Sequence, residues 1–239
     1  MIDLQHVHYR YPGTRDGVLD ITARIEAGER VALLGPNGCG KSTLLKLMNG
    51  LFLPDRGSIR FDGEEITAGR LRDRGWEAWL RQRSALLFQD PDAMLFNATV
   101  LDEIAYGPRQ HGLPEPEARA RAWAHNLGLG DQLARSPHRL SGGQKQRLAL
   151  AAVLILEPWL LLLDEPAATL DPSGVHWLLG HLEARTGLAL VVATHHWGVA
   201  ERLADRVLIL DKTQGLAYDG PLAQARAERG LLERLGLVF

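Results

Sequence analysis

Two hydrophobic periods divide this chain. In "IDLQHV" (2–7) and "VLDITARI" (18–25) apolar and polar positions alternate, which predicts strands of an antiparallel sheet with one solvated face. "GSIRFDG" (57–63) reads as a further hairpin strand. "RVALLG" (30–35) is apolar without alternation, as expected of a strand buried on both faces. "SALLF" (84–88) and "LLLLD" (160–164) read as central buried strands, and "LALVVAT" (188–194) and "DRVLIL" (205–210) repeat that pattern. Helical spacing lies between them, in "KSTLLKLMNG" (41–50, closed by Gly50), "SGVHWLLGHLEAR" (173–185) and "WGVAERLA" (197–204). Strands alternating with helices imply a parallel sheet covered on both faces.

Between Gln89 and Pro158 the pattern changes. No strand is legible, and "EPEARARAWAHNLG" (115–128) has helical spacing with Pro114 and Pro116 at its entrance. A helical insertion in the sheet domain is expected there. "ARAERGLLERLGL" (225–237) predicts a last helix lying on the core.

Composition narrows the function classes. The 239 residues carry a formal net charge of −2, so no basic field draws in nucleic acid. The single cysteine, Cys39, rules out an internal disulfide and fits a reducing compartment. The opening "MIDLQHVHYRYPG" has neither the basic nor the apolar region of a secretory signal. The longest apolar runs, "LALAAVLIL" and "WLLLL", are split by Glu157-Pro158 and are too short to cross a bilayer. A membrane connection is therefore expected through a partner. Nine histidines are present, and His6 and His8 share a strand face, yet no histidine, cysteine or carboxylate cluster has metal-ligand spacing.

Three stretches carry chemistry. Gly35-Pro36-Asn37-Gly38-Cys39-Gly40-Lys41-Ser42, followed by Thr43, matches G-x-x-x-x-G-K-[ST] between a buried strand and a helix. There, loop amides and the helix N-terminus favour phosphate, Lys41 reaches the β- and γ-phosphates, and the Ser42 hydroxyl suits Mg²⁺. Cys39 inside the loop is either a small filler or a thiol acidified by the surrounding amides. In "WLLLLDEP", Asp164 and Glu165 stand where an apolar strand leaves the core. Asp164 could hold the water shell of Mg²⁺, and Glu165 could polarise a water for in-line attack. "RLSGGQKQR" (139–147) offers a second anion site, with Ser141 capping a helix and two glycines baring its first amides.

With "GPNGCGKST", Gln89, "LSGGQ", "LLLLDEP", Asp171 and "THH" in this order, nearly the whole chain resembles the ATP-binding subunits of ABC transporters. The resemblance implies an α/β fold with a P-loop NTPase (RecA-like) core, a mostly parallel sheet, an N-terminal antiparallel β-subdomain and an inserted α-helical subdomain. One nucleotide-binding domain would span 1–239, with residues 1–89 and 158–239 forming the catalytic core and β-subdomain and 90–157 the helical part. It also implies a head-to-tail homodimer in which Ser141, Gly142, Gly143 and Gln144 serve the ATP held by the other copy. Gln89 resembles the glutamine that meets Mg²⁺ and the attacking water, Asp171 the aspartate that closes the dimer, and His195 the histidine on the γ-phosphate. Tyr11 resembles the aromatic on which adenine stacks, with Tyr9 as the alternative; such stacking is worth roughly 1–3 kcal/mol per base. Ala167, Thr169 and His196 depart from the family pattern.

"FQDPDAMLFNATVLDEIAYGP" (88–108) resembles energy-coupling-factor importers, with Met94 in place of their usual glutamine. In those importers this region receives a short helix of a membrane partner, and Met94, Leu95 and Phe96 would suit such a socket, the alternative being that they fill the helical part's own core. The absence of a long C-terminal extension favours a dedicated system with one ATPase type. The implied function is ATP hydrolysis powering cobalt or nickel uptake at the cytoplasmic face of the membrane, beside an integral scaffold and a substrate-binding membrane subunit. A biotin importer, an exporter and a DNA- or ribosome-directed ATPase are the alternatives.

Overall fold

A computed structural model describes residues 1–211, 213–235 and 237. The chain opens with β1 (Ile2–Arg10), β2 (Gly17–Ile25), β3 (Arg30–Leu34), α1 (Lys41–Met48) and the β4–β5 hairpin (Arg56–Phe61, Glu64–Glu65). Then come α2 (Ala68–Arg72), α3 (Arg74–Arg83) and β6 (Ser84–Leu87). Helices α4 (Val100–Gln110), α5 (Pro116–Asn126) and α6 (Gly142–Leu154) follow, before β7 (Leu160–Asp164), α7 (Pro172–Glu183), β8 (Ala189–Ala193), α8 (Trp197–Leu203) and β9 (Arg206–Leu210). The C-terminal part holds β10 (Leu216–Pro221), α9 (Leu222–Ala227) and α10 (Arg229–Leu235).

The alternating segments form a four-stranded sheet, β2-β1-β4-β5, with every neighbour antiparallel. The continuous apolar segments form a six-stranded sheet, β10-β9-β3-β8-β7-β6, parallel except for β10. Its strands need no polar face because both faces are covered. Along β7, Leu161 and Leu163 enter one hydrophobic core, while Leu160 and Leu162 enter the other. The first core is shared with α4–α8, the second with α1 and the antiparallel sheet.

The α/β architecture expected from the sequence is therefore present, with two differences of detail. The segment 84–88 is not central: β6 is the last strand of its sheet, and it is buried because other elements pack over it. The segment 225–237 is not one helix. The chain breaks at Glu228 between α9 and α10, and Gly236 lies outside the described residues. Among the described residues between β6 and β7 there is no strand, and no helix of the described chain is long and apolar enough to cross a membrane.

Candidate functional site

The parallel strands carry the chemistry-bearing residues out at the carboxyl end of the sheet. Leu33 pairs with Ala193 and Asp164 pairs with Ala193, so the chain leaves β3, β7 and β8 side by side. Leu87 of β6 pairs with Leu163, so the backbone that leads to Gln89 leaves the sheet next to the strand that leads to Asp164 and Glu165. Carboxyl ends of parallel strands are where such sheets place ligands.

The loop from Gly35 to Gly40 turns tightly against its surroundings. Gly35, Gly38 and Gly40 have positive φ, and a Cβ on Gly40 would lie 2.4 Å from the Gly17 carbonyl oxygen. Gly35 is equally constrained, since its Cβ would lie 2.6 Å from both Cys39 Sγ and the Leu210 oxygen. Helix α1 starts with no side-chain cap, which leaves its first amides for an anion. Lys41 is buried, and its Nζ donates to the carbonyls of Gly35 at 2.8 Å and Pro36 at 3.3 Å. The ammonium is thus held across the mouth of the loop that it would share with phosphate. Thr43 is buried beside it.

Cys39 does not support the acidified thiol. It is almost fully buried against the loop, and burial pushes its thiol pKa up, outweighing the opposing charge of Lys41. The small-filler reading of this position fits.

Ser42 Oγ donates to Asp164 Oδ1 at 3.0 Å. Burial raises the Asp164 carboxyl above its ordinary range, and the Ser42 hydrogen bond draws it partly back. A hydroxyl and a carboxylate at a helix N-terminus are hard oxygen donors. They fit a Mg²⁺ ion that keeps several waters and takes its other ligands from phosphate. Glu165 follows at φ 44°, in the left-handed region, with its amide bonded to the Ala193 carbonyl. That strained backbone turns a buried carboxylate toward His195, whose Nδ1 lies 3.0 Å from both Glu165 oxygens. His196 instead starts α8, and its amide donates to Thr194 Oγ1. Its ring packs 3.9 Å from that of His195. Gln89 lies two residues beyond β6 and is exposed.

Tyr11 follows β1, and its hydroxyl is 3.2 Å from Thr43 Oγ1, which ties it to the phosphate loop. Phe52 stacks in parallel on Tyr9 at 5.1 Å and so covers one face of that ring. Tyr11 meets Tyr9 and Phe52 only edge to face. Phe52 is not legible beforehand as a neighbour of Tyr9, because no local period links it to β1.

The LSGGQ turn is built as a capped helix. Ser141 Oγ accepts from the Gln144 amide and Gln144 Oε1 accepts from the Ser141 amide, a reciprocal capping box that starts α6. The Gln144 side chain is thereby folded back on the backbone. Ser141 and Gly142 are exposed, and a Cβ on Gly142 would meet nothing within 4 Å. Among the described residues no hydrogen bond joins Ser141, Gly142 or Gly143 to residues 35–43. Asp171 caps α7, accepting from the Gly174 amide at 2.7 Å and from Ser173 Oγ at 3.1 Å.

The expected apolar socket divides. Leu95 is buried and Met94 packs on the core, its Sδ accepting from the Phe88 amide at 3.4 Å. Phe96 alone of the three is exposed, at 65%, and its ring meets exposed Tyr106 edge to face at 4.9 Å. Buried Glu103 holds this loop by accepting from the amides of Phe96 and Asn97 and from Asn97 Nδ2. The one sequence signal for Glu103 is a charge one turn after apolar Val100 on the face of α4 that is buried. On β1 and β2, His6 Nδ1 lies 2.8 Å from Asp20 Oδ1 and His8 Nε2 lies 3.7 Å from it. Among the described residues no group of three or more His, Cys, Asp or Glu side chains is placed to hold a metal ion.

Comparisons with known proteins identify the family and the fold. The ABC transporter family model matches residues 18–168. The nickel import ATP-binding protein NikO of Rhodobacter capsulatus is 41% identical, over 99% of this chain and 95% of its own. The energy-coupling factor transporter ATP-binding protein EcfA of Methanothermobacter thermautotrophicus is 37% identical, over 93% of this chain and 71% of its own. A solved ATP-binding cassette, described as a dimer in a post-hydrolysis state bound to ADP and Pi, superposes with a TM-score of 0.81 at 26% identity, over 93% of this chain and 99% of that one.

Proposed function

The chain belongs to the ABC transporter family, as an ATP-binding subunit that hydrolyses ATP, and on that premise we propose that it powers an energy-coupling-factor importer of cobalt or nickel ions. It would act as an ATP-sandwich homodimer on the cytoplasmic face of the membrane, against an integral scaffold and a substrate-binding membrane subunit. The observation that carries the catalytic half is the pairing of Ser42 with Asp164 and of Glu165 with His195 at the carboxyl end of the parallel sheet. The resemblance of residues 88–108 to energy-coupling-factor importers supports the importer class, and the likeness to a nickel import subunit supports the metal cargo. The dimeric cassette supports the assembly.

The mechanism follows from the side chains. Adenine stacks on Tyr11. The loop amides from Gly38 to Thr43 cradle the phosphates, and Lys41 moves its hydrogen bonds from Gly35 and Pro36 to the β- and γ-phosphates. Ser42 and Asp164, with Gln89 beside them, would hold Mg²⁺, which offsets charge on the phosphate oxygens. Glu165 accepts a proton from a water as the water oxygen bonds to the γ-phosphorus. The bond from that phosphorus to the ADP oxygen breaks in line, giving ADP and phosphate. His195 Nδ1 faces Glu165, which leaves Nε2 to face the γ-phosphate.

Ser141 and the open amides of Gly142 and Gly143 make no hydrogen bond to their own loop, so they would close on the γ-phosphate held by the second copy, beside its Asp171 turn. Only a ligand that prefers the closed pair can drive closure, and the γ-phosphate gripped from both sides is that ligand. Residues 90–157 would then move as one helical unit. They would carry exposed Phe96 and Tyr106 with the membrane partner.

Uptake of radiolabelled nickel, cobalt and biotin, by cells carrying the native transporter or its Lys41→Ala form, tests the reading. Metal uptake that disappears with Lys41→Ala supports it. Biotin uptake that disappears while metal uptake persists overturns the metal cargo.

A further inference from the structure

Two consecutive residues of the signature helix reach in different directions. Lys145 Nζ lies 2.7 and 2.8 Å from the two carboxylate oxygens of Asp92, in the turn Pro91–Ala93 that follows Gln89. The same turn is fastened to the end of β6 by the Phe88 amide and Met94 Sδ. The Lys145 side chain is only 16% exposed while that of Asp92 is 48% exposed, and the contact to both carboxylate oxygens fixes the geometry of the pair. Gln146 is 1% exposed, and its Nε2 donates to the Pro166 carbonyl at 3.1 Å. Pro166 directly follows Glu165.

Gln146 is an unexpected choice for packing. It sits one turn before Leu150 and two turns before Leu154, both buried, so it occupies the apolar face of α6. Its Oε1 has no hydrogen-bond partner among the described residues. Burying an amide with half its hydrogen bonding unmade is unfavourable, and an apolar side chain would avoid that cost. What the amide does provide is a direct hydrogen-bonded link between α6 and the turn that bears Glu165.

We infer that Lys145 and Gln146 are positioning residues that register the signature helix of one copy with its own Gln89 and Glu165 turns, and so couple the two ATP sites of the dimer. The inference rests on the sandwich reading. Ser141, at the start of α6, grips the partner's ATP, while Gln89 and Glu165 attend the chain's own. The backbone bond from the Lys145 amide to the Ser141 carbonyl, 2.9 Å, joins the clamp to the signature serine within one helical turn. A shift of Ser141 toward the partner's γ-phosphate is therefore transmitted to the Asp92 turn through the ion pair and to Pro166 through the amide. Closure at one site then presets the catalytic groups of the other.

The test is ATP hydrolysis by the purified chain as a function of ATP concentration, for the parent, Lys145→Met, Gln146→Met and the swapped pair Asp92→Lys/Lys145→Asp. Fluorescent-ATP binding at protein concentrations below dimerisation and sedimentation of Glu165→Gln with ATP accompany it. The expected result is a Hill coefficient near 2 in the parent, falling toward 1 in Lys145→Met and Gln146→Met, with kcat lowered roughly 3–10-fold and monomer ATP affinity unchanged. The swapped pair should recover most of the cooperativity. A cooperative parent with equally cooperative Met variants overturns the inference alone. Variants that lose monomer ATP binding in step with turnover also overturn it, because they mark the residues as structural. A non-cooperative parent whose Glu165→Gln form stays monomeric with ATP overturns the sandwich reading, and the inference with it.

Discussion

His195 Nδ1 lies 3.0 Å from each carboxylate oxygen of Glu165, so the two side chains orient one another before any phosphate arrives. The buried carboxylate is fixed at a left-handed turn, and the ring is fixed by it. Replacing Glu165 by Gln keeps the shape and removes the proton acceptor. Glu165→Gln should lower kcat by about 10²–10⁴-fold, the usual contribution of a positioned general base, while ATP binding persists. Single-turnover phosphate release checks this. Parental turnover by the variant would remove Glu165 from the role.

Cys39 should be a slow thiol. Burial raises its pKa, so at neutral pH the thiolate fraction is below that of free cysteine. Its alkylation rate should climb only as pH rises above the free-cysteine range. Stopped-time iodoacetamide labelling, read by mass spectrometry from pH 7 to 10, measures it. Labelling at neutral pH as fast as free cysteine contradicts the burial argument.

Glu103→Leu should destabilise the fold. Two backbone amides and the Asn97 side chain lose a buried acceptor together. The expected loss is about 3 kcal/mol, from unsatisfied donors and a lost charge-assisted hydrogen bond. It should appear as a lower urea midpoint at an unchanged slope. An unaltered midpoint would show that the Phe96–Asn97 loop is held by other contacts.

Phe96→Ala should weaken assembly with the membrane scaffold and leave ATP hydrolysis by the isolated chain intact. The ring is the exposed member of the Met94–Phe96 stretch, and its aromatic neighbour is Tyr106, which is not one of the phosphate-site residues. Co-purification in detergent, with and without the substitution, measures it. Equal recovery of the scaffold would move the docking surface elsewhere.

Local features were readable in the residues themselves. The glycine spacing around Lys41 and the strand before it prescribe the phosphate loop, and Ser141 with Gln144 prescribes a helix start. Features that depend on strand order or on distant partners were not. β6 reads as a central strand because burial by neighbouring elements leaves the same apolar run as burial between strands. Lys145 and Asp92 are 53 positions apart, and neither carries a sign of the other. Met94 and Leu95 match the composition of a docking surface and of a core equally well; packing alone assigns them inward. Gln146 was in principle detectable, as an amide on the apolar stripe of α6.

The central claim, that each ATP is enclosed by the loop of one copy and the signature of the other, is tested most directly by mixing two disabled proteins. Lys41→Ala breaks the loop and keeps the signature; Ser141→Arg keeps the loop and obstructs the signature. Each alone should be nearly inactive, and the mixture should regain ATP hydrolysis, because mixed pairs contain one intact composite site. A mixture no more active than its components, or full turnover by Ser141→Arg alone, would contradict the account.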